Sequence, residues 1–389
     1  MAEVSIMMVA GEHSGDVYGS QLASTLRERL PEVEIFGCGG EEMRLGGVQT
    51  VVDAHQFAMV GITEVAAGLP RAYRAFHLLL RQAANRKPKL AVLIDSPSLN
   101  MRLAKRLKRM GIPVMYFISP QIWAWKKWRL RQLTSLVDRM VCIFDFEEEI
   151  YRKVGIPVSY VGHPLVDRVR PRRNREQFFN ETRMNQDLPL VALLPGSRAI
   201  ELSYNLPPMI HAAARLAAAR PIQFVLALAP GHDRVEAESR IHQIDPRPLP
   251  LCILANSTYD ALAHSTAAVV ASGTATVEAA LLECPMVVVY RISPVTAFFA
   301  RFMLDVPFYS MVNLLAGKRV VTELIQKDLT AERIDAELKQ LLDSPSHREA
   351  MRQELRGIRL RLGGSGAIGR AASVVIEMLK TTELMPRLS

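Results

Sequence analysis

Residues 268–290 read AVVASGTATVEAALLECPMVVVY, and the parsing of this stretch decides the fold. The apolar run 267–271 suits a strand buried on both faces. Ser272-Gly273-Thr274 interrupts it, a helical pattern continues to Glu283, and Cys284-Pro285 ends the helix before a second buried strand, 286–290. This is a βαβ unit whose turn offers backbone N–H groups and small hydroxyls at a helix N-terminus, where partial positive charge favours phosphate. Glu278 stands one turn into the helix, where a carboxylate can accept hydrogen bonds from a ribose diol. The simpler reading is a Ser/Thr cap with an acid favoured near the helix start. The rest of the chain decides between them.

The same alternation extends in both directions. Apolar strand-like runs occur at 4–10, 33–36, 90–94, 114–118, 140–144 and 159–161, and again at 190–194, 224–229, 251–254, 267–271 and 286–290. A chain of 389 residues, nearly half of them apolar, has material for two cores. The expected architecture is therefore α/β, with two doubly wound Rossmann-like domains facing each other across a cleft. The charged, non-periodic stretch 167–188 reads as a linker after a hinge at Gly162-His163-Pro164. That gives an N-terminal domain of 1–170, joined by a C-terminal helix within 365–389, and a C-terminal domain of 188–362. The GCGGEEM stretch from Gly37 reads as a flexible turn before a helix.

Composition narrows the class. Cys38, Cys142, Cys252 and Cys284 are far apart, with no CxxC pair and no zinc-like histidine spacing, which suits buried thiols in a reducing, cytoplasmic setting. The opening MAEVSIMMVA lacks a basic region and reads as a first strand rather than a signal peptide. No uncharged apolar run is long enough to span a bilayer. The net charge of +9 is spread at helical spacing without a nucleic-acid signature, so an anionic membrane surface or phosphorylated substrates rank above nucleic acid. Residues 57–80, FAMVGITEVAAGLPRAYRAFHLLL, combine Met59, Val60, Ile62 and Leu69 with Arg71 and Arg74. The stretch suits either an interfacial element or an ordinary core helix. Trp123, Trp125 and Trp128 alternate with basic residues and read as a helix with aromatic core contacts and a solvated basic face.

The candidate chemistry lies at strand ends, where open α/β sheets bind ligands. The first turn, Gly11-Glu12-His13-Ser14-Gly15-Asp16, lacks GxGxxG, and its two carboxylates would repel a pyrophosphate. It suits a sugar or hydroxyl, with helix capping by Ser14 and Asp16 as the alternative. Asp95 ends the strand 90–94 and is either placed for chemistry or caps the next helix. In the second half, Pro195-Gly196-Ser197-Arg198 sets a guanidinium in a glycine turn, a natural partner for phosphate. A nucleotide-binding half opposite an acid-rich acceptor half is the layout of a GT-B nucleotide-sugar glycosyltransferase. No Asp-x-Asp occurs, so the expected mechanism uses neither metal nor cofactor, with Arg198 and helix dipoles replacing a divalent ion.

A set of motifs then carries a resemblance over nearly the whole chain. They are GEHSGD (11–16), MVGITEV (59–65), IDSPSLN (94–100), SPQIWAW (119–125), GHP (162–164), LPGSR with Glu201 (194–201), ASGTATVE (271–278), NLL (313–315) and ELIQ (323–326). In combination they resemble the bacterial lipid-A-disaccharide synthase family. Leu99, Ser98 and Val312 depart from the family pattern. The resemblance implies transfer of diacylglucosamine from UDP-2,3-diacylglucosamine to 2,3-diacylglucosamine 1-phosphate, giving a β-1,6 disaccharide and UDP in lipid A biosynthesis. An α-linked donor and a β product mean inversion, hence one displacement and one general base. Asp95 is the expected base, with Glu12 and Asp16 as reserves that orient acceptor hydroxyls. Gly196, Ser197, Arg198, Glu201, Ser272, Gly273 and Thr274 are expected on the diphosphate side, Glu278 on the ribose, and Asn313 and Gln326 on the donor sugar or uridine. Ser14, Met59, Val60, Ile62 and Leu69 are expected along the acceptor and membrane side. The resemblance also implies peripheral attachment to the inner face of the inner membrane and suggests homodimers with exchanged C-terminal segments. The competing reading is another UDP-sugar GT-B enzyme, an epimerase or a transferase with a soluble acceptor. A nucleotide-sensing module and an NAD-dependent oxidoreductase rank lower, the latter for want of GxGxxG.

Overall fold

The computed structural model describes residues 4–57, 62–120, 127–293 and 307–384. The chain divides into two compact units: unit 1 is Met1–Pro164 with Leu362–Ser389, and unit 2 is Leu165–Arg361.

Unit 1 runs β1 (Ser5–Ala10), α1 (His13–Arg29), β2 (Glu34–Gly39), α2 (Glu41–Leu45), β3 (Gln49–Asp53), α3 (Ile62–Arg86), β4 (Leu90–Ile94), α4 (Pro97–Arg109), β5 (Val114–Phe117), α5 (Lys127–Leu133), β6 (Arg139–Cys142), α6 (Asp145–Lys153) and β7 (Val158–Tyr160). The strands form a parallel sheet in the order β3-β2-β1-β4-β5-β6-β7. Every residue of β1 and β4 is buried, as continuous apolar runs in a sheet covered on both faces require. The order reverses between these two strands, and their register pairs Ala10 with Ile94. The turns that follow them are therefore neighbours at the switch point.

One segment differs from expectation, and a second takes one of its two readings. The Gly37-Cys38-Gly39 stretch is strand, not turn: Gly37 pairs with Met8 and Cys38 with Val9 of β1, and a bulge on the β3 side absorbs the glycine-rich backbone. The C-terminal half of α3 is an ordinary core helix, with Ala75, Leu79 and Ala83 buried four residues apart on the face toward β3 and α4. Arg71, Tyr73, Arg74, Leu78 and Arg81 are exposed on it. Met59 and Val60 lie outside the described residues, as do Trp123 and Trp125, while Ile62 and Leu69 fall in the first turns of α3.

Unit 2 runs α7 (Leu165–Arg168), α8 (Arg175–Thr182), β8 (Leu190–Leu194), α9 (Ala199–Ala219), β9 (Gln223–Leu228), α10 (Arg234–Ile244), β10 (Leu251–Ala255), α11 (Thr258–His264), β11 (Ala267–Ala271), α12 (Thr274–Leu281), β12 (Met286–Tyr290), α13 (Met311–Ala316), β13 (Thr322–Ile325), α14 (Ala331–Asp343) and α15 (Pro345–Arg361). Its parallel sheet has the order β10-β9-β8-β11-β12-β13 and reverses between β8 and β11, where Leu194 pairs with Val270. The stretch 167–188, read above as a linker, is docked on this unit. Phe178 and Phe179 are buried, and the buried Asp260 carboxylate accepts from Arg172 N (2.7 Å), Arg173 N (2.9 Å) and Arg173 Nη1 (2.8 Å). Its docking relies on one aromatic pair and a buried ion pair, neither of which gives a periodic apolar signal. The boundary between units therefore falls at 164/165.

The chain returns to unit 1 as α16 (Ala367–Leu384), which packs Ala371, Ala372 and Val375 into the unit beside α1. Arg29 Nη1 donates to Gly369 O and Ser373 Oγ, both at 3.0 Å. The two passages between units are clasped within unit 1, where His163 N donates to Leu362 O at 2.7 Å and Arg370 Nε to Val161 O at 2.9 Å.

Candidate functional site

In unit 1 the turns after β1 and β4 touch. A Cβ added to Gly11 would come within 2.7 Å of Ser96 Oγ, so a larger residue there would displace the Ser96 side chain. Asp95 and Ser96 both adopt left-handed backbone, with φ of 48° and 44°. For residues with a Cβ this costs about 1–2 kcal/mol each, and an aspartate tolerates it better than most. Two buried donors hold the turn: Tyr116 Oη on β5 donates to Asp95 O at 2.5 Å, and Asn100 Nδ2 donates to Ile94 O (2.9 Å) and Asp95 O (2.8 Å). Burial first, then the Asp95 charge, pushes the Tyr116 phenol well above its ordinary range, keeping it a donor. Asp95 is half-buried at the strand end.

The other two carboxylates of unit 1 part company. Asp16 is 4% exposed, and its oxygens accept from Gly40 N (2.5 Å), Glu42 N (3.1 Å) and Met43 N (3.2 Å). It caps α2 from a neighbouring helix, which gives it a structural role. Glu12 is exposed at the N-cap position of α1, and Ser14 is half-buried in its first turn. His163 is buried between Tyr18 and Phe144, with ring centroids 6.4 and 5.2 Å away, and burial lowers its pKa to about 3. It is neutral and packs as an aromatic residue.

In unit 2 the turns after β8 and β11 are the neighbours. Gly196 has φ of 127°, and Glu201 folds back beneath it: Glu201 Oε2 accepts from Ser197 N (3.0 Å) and Arg198 N (3.3 Å), with Oε1 3.8 Å from Arg198 Nη1. Glu201 therefore shapes the turn from within, while the Arg198 side chain is 62% exposed. His232, not foreseen from sequence, donates from Nε2 to Ser197 O at 2.9 Å. Asn205 is equally unforeseen. Fully buried, it donates to Pro195 O (2.9 Å) and accepts from Arg291 N (3.1 Å), tying the β8 turn to the end of β12. An asparagine beside Pro207-Pro208 in a helical pattern was its only signal.

Ser272 Oγ donates to Tyr309 O at 3.0 Å, Gly273 has φ of 147°, and the exposed Thr274 opens α12. Glu278 is half-buried and accepts from Tyr259 Oη at 3.2 Å. Burial raises its pKa, opposed by the Tyr259 hydrogen bond and then Arg168. Asn313 corrects an expectation. It is fully buried, with Oδ1 accepting from Val320 N (2.7 Å) and Val321 N (3.0 Å), and Nδ2 donating to Val321 O (2.9 Å) and Glu323 Oε1 (2.8 Å). With its side-chain valences filled, it holds the loop after α13 and has none left for a donor sugar. Gln326 is half-buried at φ of 54°, its carbonyl accepting from Arg291 Nε (3.2 Å) and Nη2 (3.0 Å).

The family model described as lipid-A-disaccharide synthetase matches residues 6–365. A lipid-A-disaccharide synthase of Myxococcus xanthus (strain DK1622) is 45% identical over 375 residues, covering 96% of this chain and 97% of the relative. Among solved structures, a UDP-GlcNAc 2-epimerase from Neisseria meningitidis bound to UDP-GlcNAc superposes with a TM-score of 0.62 at 13% identity, covering 97% and 99% of the two chains. CalG4, the calicheamicin glycosyltransferase, superposes at 0.60 and 18%, covering 98% and 99%. These two likenesses concern the fold, which is the two-Rossmann-domain GT-B fold. The full-length match in sequence goes further: the chain belongs to the lipid-A-disaccharide synthase family of glycosyltransferases.

Proposed function

We propose that unit 2 holds UDP-2,3-diacylglucosamine, that unit 1 holds 2,3-diacylglucosamine 1-phosphate, and that Asp95 is the general base of an inverting transfer. The observation that carries this reading is the sorting of chemistry between equivalent strand ends. The switch point of unit 1 bears Glu12 and Asp95, and that of unit 2 bears Arg198, Ser272 and Thr274. In the proposed step the acceptor's primary hydroxyl attacks the anomeric carbon, its proton passes to the Asp95 carboxylate, and the bond from that carbon to the diphosphate breaks. A well-aimed base contributes about 10²–10⁴-fold. Arg198 and the N–H groups at the start of α12 take up charge on departing UDP, where losing one such donor typically costs about 3–4 kcal/mol. Glu278 accepts from the ribose, and Gln326 lines the donor side. Glu201 is assigned to preorganising the Arg198 turn, since its carboxylate already holds two of that turn's N–H groups.

The test is turnover of the lipid donor and acceptor by wild type, Asp95→Ala and Arg198→Ala. The arginine variant should bind UDP about 10–100-fold more weakly. The aspartate variant should lose turnover while UDP binding is retained. Loss of UDP binding in Asp95→Ala, or retained turnover, would overturn the assignment.

Membrane attachment belongs to the same proposal. No helix among the described residues is long and apolar enough to cross a bilayer. Support for a peripheral mode comes from the exposed Arg71, Tyr73, Arg74 and Leu78 along α3. Val60, Ile62 and Leu69 changed together to Ser should weaken binding to anionic vesicles.

A further inference from the structure

Asp95 is followed by a second left-handed residue, Ser96, so the chain turns sharply between β4 and α4 with no glycine in the turn. Such backbone persists only where its surroundings over-determine it. Here the peptide carbonyl of Asp95 accepts two hydrogen bonds, one from Tyr116 Oη on β5 and one from Asn100 Nδ2 on α4. Both donors are fully buried, which keeps them from substrate. Asn100 is in place for its donor end: Nδ2 serves two carbonyls, while buried Oδ1 has no protein partner. A fold seldom leaves a buried acceptor unpaired without a reason. The left-handed geometry fixes the direction of the Asp95 Cα–Cβ bond, and rotating that peptide would swing the carboxylate away.

We propose that Tyr116 and Asn100 are positioning residues that aim the Asp95 carboxylate by clamping its main-chain carbonyl from two elements, β5 and α4. The inference rests on Asp95 being the general base. Its structural content is a clamp on a peptide group, so its loss should affect the chemical step and leave donor binding alone.

The experiment uses the full chain with lipid donor and acceptor. Tyr116→Phe deletes one buried oxygen and keeps the ring. Its kcat should fall about ten-fold, the size expected for one hydrogen bond, with donor KM and UDP affinity unchanged. Asn100→Ser removes the clamp from the helix side, should give the same kcat-only loss, and carries the test if the phenylalanine variant does not fold. The discriminating readout is a cycle with Asp95→Asn. In that background Tyr116→Phe should reduce the residual turnover no further, because there is no base left to aim. Wild-type kcat in both clamp variants, or an equal ten-fold loss in both backgrounds, would overturn the proposal. Full turnover by Asp95→Asn alone would instead remove the base assignment, and the proposal with it.

Discussion

The turn after β4 and the turn after β11 hold equivalent places in two sheets of the same design, yet they carry opposite chemistry. Each follows the strand beside the first strand of its unit, at the point where strand order reverses. After β4 comes Asp95, and α4 opens on Pro97, which removes an N–H from the helix start. After β11 come Ser272, Gly273 and Thr274, a hydroxyl-rich turn that keeps its N–H groups. The neighbouring turns follow suit, with Glu12 exposed after β1 and Arg198 exposed after β8. On the proposed function, the scaffold sets where a ligand can sit, and these strand-end residues set whether it is a hydroxyl or a diphosphate.

Making the two turns alike should break the contrast. Thr274→Asp puts an acid at the start of α12, where the helix dipole welcomes it, so thermal stability should hold. UDP affinity, measured by calorimetry, should fall about 100-fold or more, since opposed like charges cost several kcal/mol. Undiminished binding would mean that this turn does not meet the diphosphate.

Sorting the carboxylates of unit 1 sharpens the contrast further. Asp16→Asn weakens a cap that serves three backbone N–H groups and should cost about 1–3 kcal/mol of stability, read by thermal or denaturant unfolding. Turnover per folded molecule should stay at the wild-type value. A fall in kcat with stability intact would return Asp16 to the chemistry.

The smallest effect concerns pH. Burial raises Glu278 above the ordinary 4.5 of a glutamate, so it takes up its proton earlier as pH falls. The sign differs for folding and binding. The raised folded-state value means stability is lost as pH rises through it, because the buried charge is disfavoured. UDP affinity, which needs the carboxylate as acceptor, should instead weaken as pH falls through that same value. The change should be within about ten-fold, and Glu278→Gln should flatten it. A wild-type titration no steeper than that of the variant would remove Glu278 from the ribose.

Legibility in the sequence followed the kind of interaction. The β11–α12–β12 unit was readable because a strand buried on both faces must be apolar throughout and its turn must break the run. The strand-end positions of Asp95 and Arg198 followed from that alternation. Asp16 and Asp95 were not separable, since each follows a strand and precedes or enters a helix. Only the arrival of Gly40, 24 residues away, gives Asp16 its structural role. Asn313 was expected at the donor because the resemblance carried it there, and its partners at Val320, Val321 and Glu323 depend on a loop closure that local pattern does not encode. The stretch 167–188 hid its attachment in the same way, through the buried Asp260 on another helix.

The clasp between His163 and Leu362 also bears on how the protein is made. Unit 2 is inserted into unit 1, so during synthesis all of residues 165–361 precede the helix that packs beside α1. Domains generally fold as units while the chain emerges. Unit 2 can close on itself first, while the earlier sheet waits with the α1 face uncovered for a helix about 200 residues downstream of its own last strand.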